Sequence, residues 1–418
     1  MIHHLPLEII SNIVEQLDDN KDRYSLALVN RFFYHETNPI LWRSPTITSS
    51  SSTGGDDGDE EANTITAIRF IVCVMEARHL VALQVRKLDL GDYIWSDAEL
   101  LLVTRRLSLL EELNINNEAC LSNISLGCLP RHCPNLTSFR LADCHIDSPA
   151  LFQAFGDEDA CRHLQCLDLV NCAPLSPEIV VPLLTCPLKQ LSLHLDYARW
   201  TTATATSTTI EKIVMDLPRL PHLTHLTLSN IADRFIQCLL TTASNTADAS
   251  WPHLVSFRLI RCLGMVEDTT LSGFLQTHRD LQHLTLSGGR FSDVVLVDTM
   301  ARDLSCLSTL DVSHTTTITA KGVHRLIWHG PPTLLWIQLV GCHVYRHQGQ
   351  EMQHLDGDTV VDVVDPATAT STTTRSSKRR SPVDQLDRPA ILALRQSPNP
   401  DDLNDDNAFL VNQPCLQW

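Results

Sequence analysis

His343 and His347 stand four residues apart, the spacing at which two imidazoles on one helical face can share a divalent metal ion. The residues around them carry little helical pattern, so no metal is expected there. The fourteen cysteines are the other chemically rich set, yet none falls in a Cys-x-x-Cys pair of the kind that grips zinc. The chain also lacks a nucleophile elbow, a phosphate-cradling glycine loop, a dinucleotide fingerprint and a zinc-protease helix. No catalytic residue can be named, and a non-enzymatic protein without cofactor is expected.

The cysteines make sense once the elements that carry them are found. Ten segments share the form Leu-x-x-Leu-x-Leu, with Phe, Ile or Val tolerated. They start at Val85, Leu110, Leu136, Leu164, Leu188, Leu223, Leu254, Leu281, Leu307 and Leu334. Most starts lie 24 to 28 residues apart, a period that signals stacked units rather than one folded core. Two longer intervals hold Thr/Ser/Ala-rich stretches, which assigns loops to residues 198–210 and 241–251. Helix-like apolar spacing between strands, as over 97–110, 176–184 and 294–304, gives one strand and one helix per unit, so the strands must run parallel. At about 4.8 Å between neighbours, ten strands make an arc of roughly 45 Å, curved because helices are wider than strands.

In such strands the leucines point inward and the residues between them point to the concave face. That face carries Arg140, Asp168, His225, Arg258, His283 and Trp336 as candidate contacts for a protein ligand. Arginine and tryptophan are the types that most often anchor interfaces. Charges of both signs alternate along it, which suits a mixed protein epitope better than a phosphate backbone. In four units a cysteine (Cys144, Cys172, Cys262, Cys342) stands three places after the last apolar position. This pattern resembles the cysteine-containing class of leucine-rich repeat.

A different pattern opens the chain. Apolar residues at Leu5, Ile9, Ile10, Ile13, Val14 and Leu17 gather one stripe on a helix. A polar break follows, then a second apolar set from Leu26 to Phe33, then Pro39 and Trp42. The run Leu5-Pro6-x-Glu8-Ile9, Ile13, Leu17, then Leu28-Val29-Asn30-Arg31-Phe32-Phe33, then Pro39-x-x-Trp42, resembles an F-box. Asn30 and Arg31 follow Val29 directly, where many members place a cysteine. The resemblance covers residues 1–47 and implies that Leu5, Pro6, Glu8, Ile9, Ile13, Leu17, Leu28, Val29 and Trp42 bind a Skp-type adaptor, and through it a cullin. It implies a substrate-recognition subunit of a ubiquitin ligase whose repeats hold a protein destined for degradation. The alternative is a scaffold that binds the adaptor without a cullin.

The expected architecture is therefore an α/β solenoid: a small all-α F-box at 1–47, an acidic and serine-rich disordered linker at 48–64, and about ten leucine-rich repeats over 65–345. A helix from Ile65 to Leu80 should cover the open end. Residues 346–418, rich in Thr, Ser, Asp and Pro, read as a mostly disordered tail. The formal charge is −17, of which −5 lies between Asp56 and Glu61 and a further −5 from Glu351 onward. The body is only mildly acidic, which argues against nucleic acid as partner. No apolar run reaches the roughly 20 residues needed to span a bilayer and no secretory start is present, so neither membrane nor export is expected and a cytoplasmic or nuclear location is.

Overall fold

The computed structural model describes residues 7–47 except 18 and 46, then 58–76, 81–116 except 92, 121–144, 150–155, 162–172, 180–194, 214–245, 250–342 except 263 and 265, 345–346, and 381–397 except 383. The candidate pair His343 and His347, the loop at 198–210 and most of the tail lie outside these residues.

Three helices open the described chain: α1 (Leu7–Glu15), α2 (Asn20–Ala27) and α3 (Arg31–Leu41). Each break is set by a cap. The Asp19 carboxylate accepts from the Lys21 N–H and the Asn30 side chain from the Phe33 N–H, satisfying amides that a helix start leaves without partners. Ile10 and Val14 are buried between these helices. The helix α4 (Gly58–Glu76) follows, burying Ala67, Phe70 and Val74 against the first repeat. Residues 58–64, expected to be disordered, are thus the start of a helix.

The repeats form ten parallel strands paired in chain order: β1 (Lys87–Asp89), β2 (Glu112–Asn116), β3 (Ser138–Ala142), β4 (Cys166–Val170), β5 (Gln190–His194), β6 (His225–Ser229), β7 (Ser256–Ile260), β8 (His283–Ser287), β9 (Thr309–Asp311) and β10 (Trp336–Gln338). Every strand starts two residues after one of the ten apolar starts. Equivalent positions are in register, as in His225↔Ser256↔His283, so each apolar row becomes a continuous core. Helices such as Asp233–Asn245, Asp268–Thr277 and Ala320–His329 cover the other side. The sheet stays open.

Two ladders hold the turns after the strands. Asp143, Asn171, Asn230, Arg261, Gly288, His314 and Gly341 occupy equivalent places with positive φ. The N–H of each of the first six donates to a carbonyl of the following repeat, for example Asn171 to His194 and Gly288 to Ser313. The cysteines form the second ladder: Cys172 donates to the Leu141 carbonyl at 3.2 Å, Cys262 to Leu228 at 3.5 Å and Cys342 to Val312 at 3.1 Å. A small side chain with a weak donor satisfies the carbonyl of the preceding repeat. Burial pushes the Cys133 and Cys172 thiols up to about 12 and those of Cys186 and Cys262 to about 11, so these groups are structural.

Two further departures from the sequence expectation have clear causes. Residues 241–245, assigned to a loop, are the last turn of the helix Asp233–Asn245. Its hydroxyls are absorbed by the helix itself, Thr241 donating to the Gln237 carbonyl and Ser244 to Leu240, four residues back. Within the expected tail, residues 381–397 are folded. Gln385–Leu386 adds an antiparallel strand to β10, and the helix Arg388–Arg395 packs on Ala320–His329. Leu386, Ala390, Ile391 and Leu394 are buried there. Arg395 donates to the carbonyls of Ile327, Pro332 and Pro331. The segment closes the last repeat, whose exposed edge would otherwise invite pairing with another chain.

Candidate functional site

The first candidate surface lies on the opening helices. With Ile10 and Val14 turned inward, Ile9 and Ile13 one residue away are forced outward, and they are 44% and 49% exposed. Leu28 and Val29, in the turn between α2 and α3, are 66% and 63% exposed. Tyr24 joins them at 60%, a residue the sequence reading passed over because one aromatic in a polar helix carries no periodic signal. Leu17 is half-buried just past α1. Leu5 and Pro6 lie outside the described residues, and Glu8 is placed on α1 by its backbone alone.

Trp42 does something else. It caps α3, its N–H donating to the Asn38 carbonyl, and its ring packs against the solenoid core. The neighbouring Arg43 carbonyl accepts from the N–H groups of Arg86 and Lys87 at 2.9 Å each, and Ile47 is buried in the same core. The segment from Trp42 to Ile47 thus fastens the helical unit to the first repeat. These contacts connect the helical unit directly to the repeat array.

The second surface is the concave face. Lys87 pairs with Glu112 at 2.7 Å and Arg140 with Asp168 at 3.4 Å. Asp168 keeps one buried oxygen, Oδ1, with no hydrogen-bond partner among the described residues. His225 and His283 flank Ser256 on neighbouring strands, and Thr227 and Thr285 flank Arg258 one row further along. Trp336 is half-buried on β10, six strands from Asp168 in the strand order and seven from Arg140. The structure therefore separates the six candidate residues into an Arg140–Asp168 pair, a central His225–Arg258–His283 group and an isolated tryptophan.

His194 belongs with them and was not singled out. Two exposed positions per strand were read from the leucine pattern, but β2 to β8 run five residues and add a third row, at which His194 stands. Burial holds its pKa below the ordinary value; the charges of Arg258 and Arg140 push the same way, and Asp168 opposes them. Burial likewise lowers His225, assisted by His283. Among the described residues no group of three or more His, Cys, Asp or Glu side chains is arranged to hold a metal ion, and no helix is long and apolar enough to cross a membrane.

Residues 2–48 match the family described as F-box-like; the unit formed by α1 to α3 is an F-box-like domain. No curated protein matches the chain. Among solved structures, a Listeria monocytogenes internalin is similar at 13% identity and a TM-score of 0.38, over 63% of this chain and 77% of that one. The Rad7 and Elc1 complex from yeast is similar at 14% identity and 0.42, over 74% and 82%. A TLR13 complex with a single-stranded RNA is similar at 15% identity and 0.41, over 65% of this chain and 35% of that one.

Proposed function

We propose, from the F-box-like domain at residues 2–48, that this chain is the substrate receptor of a ubiquitin ligase of the Skp adaptor, cullin and F-box type. The observation that carries the reading is the apolar surface left bare by Ile9, Ile13, Tyr24, Leu28 and Val29. A unit this small has little reason to expose five large apolar side chains unless a partner covers them. The adaptor is that partner. The concave face holds a protein substrate, and the junction at Trp42 to Ile47 connects the two. The chain supplies no chemistry of its own; ubiquitin transfer is performed by the rest of the complex. The cysteines of the described residues are free thiols, in keeping with a reducing compartment such as cytosol or nucleus.

Reconstitution tests this. Purified full-length chain should co-elute with a Skp-type adaptor and a cullin, and substitution of Ile13 and Leu28 by Asp should abolish the complex without unfolding the repeats. Co-elution with the adaptor alone would replace the ligase reading with that of a scaffold. Failure to bind any Skp-type adaptor would end both.

A further inference from the structure

The centre of the concave face differs from the rest of it. Lys87 and Arg140 each have a carboxylate partner across the neighbouring strand. Arg258, exposed on β7, has none within ion-pair distance among the described residues. It stands on a floor of small side chains. Thr227 and Thr285 lie beside it in register, and Ser256 lies two residues before it. All three are buried, and their hydroxyls have no hydrogen-bond partner among the described residues. Unused hydroxyls at the bottom of a notch, beneath an unpaired guanidinium, are donors waiting for an acceptor.

Two imidazoles form the sides. His225 and His283 flank Ser256 and are two strand spacings apart, about 10 Å. The Thr224 hydroxyl donates to the Lys189 carbonyl at 2.9 Å, so its oxygen accepts from His225 Nδ1 at 2.8 Å. His283 Nδ1 is held by the Thr309 hydroxyl at 2.8 Å. Nε2 of each ring is left without a hydrogen-bond partner among the described residues. His194, on β5, adds a third imidazole within the field of Arg258. The nearest acidic groups on the same row are Asp311, two strands away, whose carboxylate accepts from the Ser313 N–H at 2.9 Å, and Asp168, three strands away and paired with Arg140. They bound the notch without neutralising it. A cationic site in the middle of a chain with formal charge −17 is a local departure that selects for one kind of contact.

We infer that the notch formed by Arg258, His225, His283, Ser256, Thr227 and Thr285 is an anion subsite that receives a phosphorylated or acidic side chain of the protein substrate. The inference deepens the receptor reading and rests on it. The shared chemistry is a tetrahedral or planar oxyanion: bidentate contact from the guanidinium and donation from the free Ser and Thr hydroxyls, with the two imidazoles bounding the subsite on either side. Asp168 and Asp311 favour donor or cationic residues on either side of that anion.

The experiment uses the full-length chain, with its adaptor bound if the adaptor binds, and pools of 15-residue peptides degenerate except at a fixed central position. The fixed residue is phosphothreonine, Glu or Gln in three separate pools. At least a tenfold preference for the phosphothreonine or the Glu pool over Gln is expected, and which of the two wins identifies the source of the anion. Arg258→Gln should remove the preference, Arg258→Lys should retain part of it, and Arg279→Ala, an exposed arginine on another face, should leave it intact. Equal binding of all pools would overturn the inference, as would a preference that persists in Arg258→Gln. A single-stranded RNA that outcompetes the preferred pool and is lost with Arg258→Gln would overturn the peptide assignment. Adaptor capture, measured on the same preparation, separates the claims: an anion preference without adaptor binding refutes the receptor reading alone.

Discussion

The closing segment 381–397 gives the most quantitative consequence of the fold. Ile391 is 1% exposed, on the helix that packs on Ala320–His329 at the end of the array. Ile391→Ala removes buried methyl groups and leaves a cavity, costing about 2 to 5 kcal/mol. In a solenoid each unit is stabilised by its neighbours alone, so the loss falls on the closing helix and β10 rather than on the whole array. Local opening then rises by about 1.36 kcal/mol per factor of ten, roughly thirty-fold at the low end of that range. The Leu339 N–H reports it, because it donates to the Asp384 carbonyl of the closing segment at 2.7 Å. Native-state amide exchange should show Leu339 accelerated at least about thirty-fold, with Leu226 and Leu228 on β6 unchanged. If Leu339 exchanges at its original rate in a folded Ile391→Ala protein, the segment does not seal the last repeat.

Thiol labelling should sort the cysteines by place in the fold: brief N-ethylmaleimide treatment followed by mass spectrometry finds Cys73 and Cys238, which are exposed, modified, and Cys133 and Cys172 protected. Equal labelling of Cys172 and Cys238 would contradict the ladder. The same raised thiols make stability fall in alkali: it is full below the ordinary value of 9.0 and declines as pH climbs toward about 12, where Cys133 and Cys172 ionise. Acid acts through histidine. Burial lowers the pKa of His132, His194, His225, His278 and His324, so their contribution is present above 6.5 and shrinks as pH drops below it. Thermal unfolding at pH 5.5 should come several degrees below that at pH 7.5, and His324→Gln should flatten part of the slope. Gly341→Ala should destabilise by about 1 to 3 kcal/mol, since φ is +71° and an added Cβ would meet His314 Nδ1 at 2.5 Å; an unchanged denaturation midpoint would count against the left-handed corner.

The solenoid was legible because its signal is repeated ten times: a single Leu-x-x-Leu-x-Leu is weak, but ten at one spacing leave few folds open. The closing segment gave no such signal. Leu386, Ala390, Ile391 and Leu394 make one short stripe inside a Thr/Ser/Asp-rich stretch, and composition outweighed it. The start of α4 was lost for a similar reason, since an acidic, serine-rich stretch reads as a solvated linker whatever its backbone does. Trp42 matches the F-box pattern in sequence, yet its ring faces the solenoid, a placement that depends on where Ile47 and β1 lie in space. His194 was missed because the leucine pattern marks where a strand is apolar, not where its pairing ends.

The most direct test of the account is a calorimetric titration of the full-length chain with a purified Skp-type adaptor, beside the variant with Ile9, Ile13, Leu28 and Val29 changed together to Ala. Burying such a side chain fully contributes about 1.5 to 3 kcal/mol, and these four are already partly covered, so about 1 kcal/mol each is at stake. The account predicts tight binding by the unaltered chain and a loss of about a thousand-fold in the variant with unchanged thermal unfolding of the repeats. Equal affinity for both proteins would show that the bare apolar surface is not where the adaptor sits.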